Sequence, residues 1–154
     1  MVQIMKPLPL ILFLLITSIT TILNANEQEK TMSISGKFEI TLEPQTDESN
    51  PAGRMTINKV YTGSIKGTGI GQMISKRIEN GAAVYFAVEE FSGSVKGKSG
   101  AFTLIHKGFM SKDSQTLDIS ILKGSGQGEL ENISGTMDIT QKDGSHFYEL
   151  DYQL

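Results

Sequence analysis

GSVKGKSG, residues 93–100, decides how this chain folds. Taken as a phosphate-binding loop, its Gly97-Lys98-Ser99 would open a helix and make the chain a nucleotide-binding α/β protein. Taken as a turn, it joins two strands. Three observations favour the turn. The spacing G-x-x-x-x-G-K-S requires glycine at position 92, where the chain has Ser92. A phosphate loop is followed by a helix whose N-terminus holds the anion, whereas AFTLIHKGF, 101–109, alternates apolar and polar as a strand does. No apolar run ending in a Walker-B-like aspartate accompanies it.

The stretch has a near-copy, GSIKGTGIG, starting at Gly63. Both copies lie between alternating segments, and no segment after Ala25 carries a period of 3.6. The alternation predicts eight strands, over 32–44, 54–66, 68–79, 82–94, 99–111, 115–123, 134–142 and 145–154. Asn80-Gly81 and Asp143-Gly144 are hairpin dipeptides, because a type I′ turn needs positive φ at both central residues. Lys112-Asp113-Ser114 marks another turn. Thr46–Ala52 reads as a polar loop and Gly124–Gly128 as a flexible connection.

Turns set register, and register sets which side chains share a face. A two-residue turn at Asn80-Gly81 places Gln72 opposite Glu89, Ile74 opposite Ala87 and Lys76 opposite Tyr85. Centring the next turn on Gly97-Lys98 places Glu89 opposite His106 and Phe91 opposite Leu104. Giving the repeat copy the same centre, Gly67-Thr68, places Lys59 opposite Lys76 and Tyr61 opposite Ile74. Asp143-Gly144 sets Met137 opposite Leu150 and Ile139 opposite Tyr148. The faces join into one apolar side and one polar side. Eight antiparallel strands in sequence with this pattern suit an all-β, closed eight-stranded antiparallel meander barrel, with a two-sheet sandwich as the competing architecture.

The register gathers polar residues on the inner face. Glu89 and His106 are the candidates for acid–base chemistry, a carboxylate fixing an imidazole tautomer; the alternative is a buried pair that satisfies itself. Lys59, Tyr61, Gln72, Tyr85, Phe102, Tyr148 and Tyr152 are the candidate ligand-binding residues lining an interior. Lys59 could hold an anionic group or reach water from a strand end, and the tyrosines could equally be core residues with satisfied hydroxyls. His146 is expected at the rim. With two histidines and no cysteine, no metal site is expected, and no cofactor. Asn132-Ile133-Ser134 is a glycosylation sequon by pattern alone. Phe86, Val88, Ile105 and Phe109 are apolar on the outer face, which suits a homo-oligomer.

Length and composition bound the rest. The 154 residues suffice for one domain, and the formal charge of −3 with no basic stripe makes nucleic acid an unsuitable partner. The absence of cysteine excludes disulfides and thiolate metal sites. Residues 1–25 follow the plan of a signal peptide: Lys6 in a short positive region, the apolar LPLILFLLITSITTIL at 8–23, then the small residue Ala25. The domain is then 26–154, periplasmic or secreted. Retention as a membrane anchor is the alternative, but residues 8–23 as a helix reach about 24 Å, short of a ~30 Å hydrocarbon core.

YFAVEEFSGSVKGKSGAFTLIHKG, with GRMTINKVYTGSIKGTGIGQM, GSGQGELENISGTMDI and DGSHFYELDYQL, resembles the bacterial domain-of-unknown-function 3224 family from about Gly36 to Leu154. The pattern falls on Tyr85, Ala87, Glu89, Gly93, Gly97, Gly100, Phe102, Leu104, His106 and Gly108. The resemblance implies a calycin-like barrel of the allene oxide cyclase type. No activity is established for that family, so it assigns no residue a role. The cyclase relatives hold an apolar epoxide in the barrel and use few polar groups, an analogy at the level of fold. Many members look cytoplasmic, so the N-terminal segment is a departure. Three functions are in view. One is a barrel that binds a small apolar molecule in its interior. Another is a cofactor-independent cyclase or isomerase using Glu89 and His106. The last is a non-catalytic, oligomerising interaction protein.

Overall fold

Lys96 and Gly97 turn the chain in the computed structural model, with φ of 50° and 88°. Positive φ at both positions is what a tight hairpin requires, so GSVKGKSG is a turn between two strands. The structure describes residues 30–46, 51–79 and 81–154; the segment read as a signal peptide lies outside them, as does Asn80. The elements are β1 (Met32–Gln45), β2 (Gly53–Gly63), β3 (Ile65–Arg77), β4 (Ala83–Val95), β5 (Lys98–Met110), β6 (Gln115–Ile121), β7 (Gln127–Gly128), β8 (Ser134–Lys142) and β9 (Ser145–Gln153). All pairings are antiparallel. The ring runs β1-β2-β3-β4-β5-β6-β8-β9 and closes where β9 pairs β1. Two-residue β7 adds to the edge of β5 at Gly100 and Ala101. The eight-stranded meander barrel is therefore closed, as the alternation predicts.

Gly97 carries no side chain and faces open space, so only its backbone angle constrains it. Gly97→Ala should cost about 1 kcal/mol, the price of an L-residue held at positive φ. Chemical denaturation of the variant checks this.

Three hairpins depart from the expected register. The β4–β5 turn sits one residue earlier than Gly97-Lys98, which slides the pairing by two: Ala87 faces His106, Glu89 faces Leu104 and Phe91 faces Phe102. A shift of two preserves the faces. The β3–β4 connection is not a two-residue turn. Arg77 pairs with Ala83, and 78–82 form a longer loop closed by Ile78 N–H to Ala82 O (2.9 Å) and Gly81 N–H to Ile78 O (3.0 Å). The pairing becomes Gln72 with Val88 and Gly71 with Glu89. This odd shift turns every side chain of β3 over.

The repeat accounts for a further error of the same kind. Its first copy turns at Gly63, φ 104°, not at Gly67-Thr68, so Tyr61 pairs with Gly67 and Lys59 with Gly69. The two copies are neighbours in the sheet, with Gly67 opposite Gly93 and Ile65 opposite Val95. Sequence similarity between them does not make their turns equivalent. The consequence is that β3 presents Ile65, Gly69, Gly71, Met73 and Ser75 inward, while Gln72, Ile74 and Lys76 face solvent.

The barrel has two unlike ends. At one, Ile65, Val95, Leu104, Leu130, Ile133 and Tyr148 are buried in a continuous core. Leu130 and Ile133 come from the stretch read as a flexible connection and its continuation. That segment folds back over the end: Glu129 N–H reaches Ser99 O at 2.9 Å, and Ser99 N–H reaches Glu129 Oε2 at 2.7 Å. At the other end the inner-facing Met55, Met73, Ser75, Tyr85, Met110 and Leu117 are only half-buried, and the interior opens towards solvent.

Candidate functional site

Between the packed end and the open end lies a layer of polar side chains. Alternation along β2 points Lys59 and Tyr61 inward; β4 contributes Glu89 and β5 His106. Glu89 is at its centre and is fully buried, with Lys59 and His106 each 4% exposed. Lys59 Nζ lies 2.7 Å from Glu89 Oε2, and the Tyr61 hydroxyl donates to Glu89 Oε1 at 2.7 Å. His106 Nε2 comes within 3.0 Å of Glu89 Oε2. Its approach is oblique, and the nitrogen has no aligned hydrogen-bond partner. Lys59 also donates to the Tyr61 oxygen at 3.3 Å and sits 4.9 Å above the centre of the Phe38 ring.

The β3 glycines make room for this group. A Cβ on Gly69 would overlap Glu89 Oε1, and one on Gly71 would lie 3.2 Å from Glu89 Cβ. The GTGIG segment of the repeat thus serves as a smooth wall beside a buried carboxylate.

Electrostatics follow from these contacts. Burial alone would raise the Glu89 pKa, but its contact with His106, the Lys59 charge and the hydrogen bonds from Lys59 and Tyr61 outweigh that and hold it down at about 2. Burial, then the Glu89 charge and the hydrogen bond to it, push the Tyr61 hydroxyl far above the usual phenol range. The quartet is an ionised carboxylate clamped by a cation and a neutral phenol. A carboxylate held that low accepts protons poorly at neutral pH.

The remaining candidates separate. Gln72 faces solvent, where its amide donates to Thr56 Oγ1 at 3.3 Å, because β3 is inverted relative to the expected register. Phe102 stacks on Phe91 with ring centres 4.7 Å apart, inside the core. Tyr148 is buried, accepts the Ile65 N–H at 2.7 Å and donates to Thr62 O at 3.2 Å, so it ties β9 to the β2–β3 turn. Tyr152 is buried in the same core. Tyr85 alone among the tyrosines stands at the open end, its ring lying over Gly108. His146 packs 5.2 Å from Phe38 on the other side of the mouth and lines a wider groove there.

Among the described residues, clefts lie beside Phe38, Tyr85, Tyr148 and Ser64, and Lys59, Tyr61, Glu89 and His106 line none of these. One, of about 150 Å³, lies at the open end where β3, β4, β5 and β6 terminate or begin. Met73, Tyr85, Met110 and Arg77 are among the residues that line it. The sequence reading passed over Met73 and Arg77, which become visible only when β3 is inverted and both come onto the same face as Tyr85; Met110 already falls on that face from the β5 alternation.

Residues 34–152 match the family model described as protein of unknown function (DUF3224). A solved structure of a protein with unknown function from the DUF3224 family of Shewanella oneidensis MR-1 is similar to this chain. Identity is 31%, the TM-score is 0.74, and the match covers 80% of this chain and 96% of that one. No curated protein matches.

Proposed function

The chain belongs to the DUF3224 family, and for this member we propose a binding role: the barrel holds a small, largely apolar molecule at its open end. The observation that supports the reading best is the mouth cleft lined by Met73, Tyr85 and Met110. A cleft of about 150 Å³ is large enough for a benzene-sized body. Thioethers and a phenol ring give it adaptable, polarisable walls. The buried quartet supports the site indirectly. By bringing β2, β4 and β5 together around one carboxylate it holds β4 and β5, two of the strands that frame the cleft.

Export belongs to the same proposal: cleavage after Ala25 would release the barrel to the periplasm or the exterior, on the strength of the positive, apolar and small-residue order of residues 1–25. A cofactor-independent cyclase or isomerase using Glu89 and His106 has less support. The carboxyl is held near 2, and neither side chain lines the mouth cleft. Contact with a second copy draws on the outer face, where Ile70, Ile74, Phe86, Val88 and Phe109 are 45–58% exposed on three adjacent strands.

Ethylbenzene tests the mouth reading. At ten times its dissociation constant it should stabilise the protein by about 1.4 kcal/mol, a rise in Tm of roughly 3–6 °C for a domain of this size. Ser75→Trp, which fills the cleft from β3, should remove the rise. A wild-type Tm that does not respond at any attainable concentration rules the mouth out.

A further inference from the structure

We propose that the mouth cleft takes a compact monoanion: a carboxylate carried on a single ring or a short branched chain, its charge on Arg77. This rests on the mouth-binding reading above and adds the chemical class of the ligand. Volume sets the size, since about 150 Å³ admits one ring and not an extended lipid chain. Charge sets the sign. Two cations, Lys76 and Arg77, line the cleft, and among the described residues no acidic one does, in a chain whose net charge is −3. A positive recess on an acidic protein concentrates small anions.

Arg77 is placed to be the receptor. It alternates with Met73 and Ser75 on the inner face of β3, directly at the rim. Its guanidinium makes two long contacts, Nη1 to Gly81 O at 3.5 Å and Nη2 to Met110 Sδ at 3.9 Å. Among the described residues the ion pairs are those of Glu89, so no described carboxylate pairs with Arg77. A guanidinium has five N–H donors in a planar fork, and two weak contacts leave most of them for a carboxylate to accept in bidentate fashion. Lys76 donates to Pro51 O at 2.8 Å and adds charge rather than a contact. Below the fork, Met73, Tyr85 and Met110 would meet the apolar body. The Tyr85 hydroxyl, its pKa raised by burial, stays protonated and can donate.

The test uses the full chain labelled with methyl-13C methionine, and two probes of one shape: 4-methylbenzoate and neutral 4-methylbenzyl alcohol. Both should move the Met73 and Met110 methyl resonances and leave that of Met137, buried in the core, in place. The anion should bind about three- to tenfold more tightly at low salt, the scale of a partly exposed charge pair. Arg77→Met should bring the ratio to about one. If that variant fails to fold, the wild-type ratio should still shrink as ionic strength rises to about 0.3 M, where the Debye length falls below 8 Å. Equal affinities for the two probes in the wild type overturn the anion proposal and leave mouth binding standing. Laurate binding more tightly than 4-methylbenzoate overturns the size limit. No shift with either probe removes both the proposal and the reading beneath it.

Discussion

Glu89→Gln should destabilise the barrel by about 3–5 kcal/mol, the usual cost of leaving one charge of a buried pair uncompensated. The amide keeps an acceptor for the Tyr61 hydroxyl, which now donates at 2.7 Å, but it cannot neutralise Lys59 Nζ at the same distance. Lys59 is 4% exposed and its strand runs through the middle of the wall, so its ammonium has no short path to water. Removing the charge as well should recover most of the loss: Lys59→Met with Glu89→Gln replaces the pair by groups that need no counter-charge. Buried ion pairs replaced whole are often neutral or better. Urea denaturation of the two variants measures both effects. A single-variant loss under about 1 kcal/mol would mean that the ammonium is already compensated elsewhere, and the ion-pair account would fail.

The same carboxyl governs the acid limb. Its folded pKa, about 2, lies below the ordinary 4.5, so the folded state favours the ionised form. The stabilisation is present in full above the unfolded value and is lost as pH falls from about 5 towards 2. The Lys59→Met, Glu89→Gln pair should therefore show a shallower loss of stability across that window than the wild type.

The sequence displayed the barrel well because alternation, hairpin dipeptides and sparse helix-period pattern all agree. Asp143-Gly144 even fixed β8 and β9 in their true register, with Met137 opposite Leu150. The polar layer was legible in part: Lys59, Tyr61, Glu89 and His106 do converge. What failed was parity on one strand. A loop of two residues and the actual 78–82 differ by an odd number, and so does the β2–β3 turn at Gly63 from the expected one; together they send Gln72 outward and bring Gly69, Gly71 and Met73 inward. The closing segment failed for another reason. Leu130 and Ile133 sit three apart in a polar, glycine-flanked stretch with no strand or helix period, and only tertiary contact reveals that both are core. Apolar residues spaced so within a putative linker were the available clue.

The inversion of β3 has a direct energetic test in Gly69→Ala, which should cost about 3 kcal/mol, the upper part of the range for overpacking. The new methyl would overlap Glu89 Oε1, lie 2.8 Å from its carboxyl carbon and 3.1 Å from the Tyr61 ring. A side-chain neighbour can normally give way, but this one is held by Lys59, Tyr61 and His106 together, and moving it breaks contacts that keep a buried charge compensated. Gly53→Ala, on the neighbouring strand, where the new methyl would lie 3.3 Å from the Ser75 hydroxyl and 3.6 Å from the Ser75 carbonyl oxygen, should change stability by less than about 0.5 kcal/mol. The decisive comparison repeats Gly69→Ala in a background carrying Glu89→Ala and Lys59→Met. With the carboxylate gone, the methyl enters the space it vacates, and the cost should fall below about 1 kcal/mol. That is a coupling within the range seen for residues in contact. An unchanged cost in both backgrounds would place the clash on backbone instead, and the glycine would then owe nothing to the charge beside it.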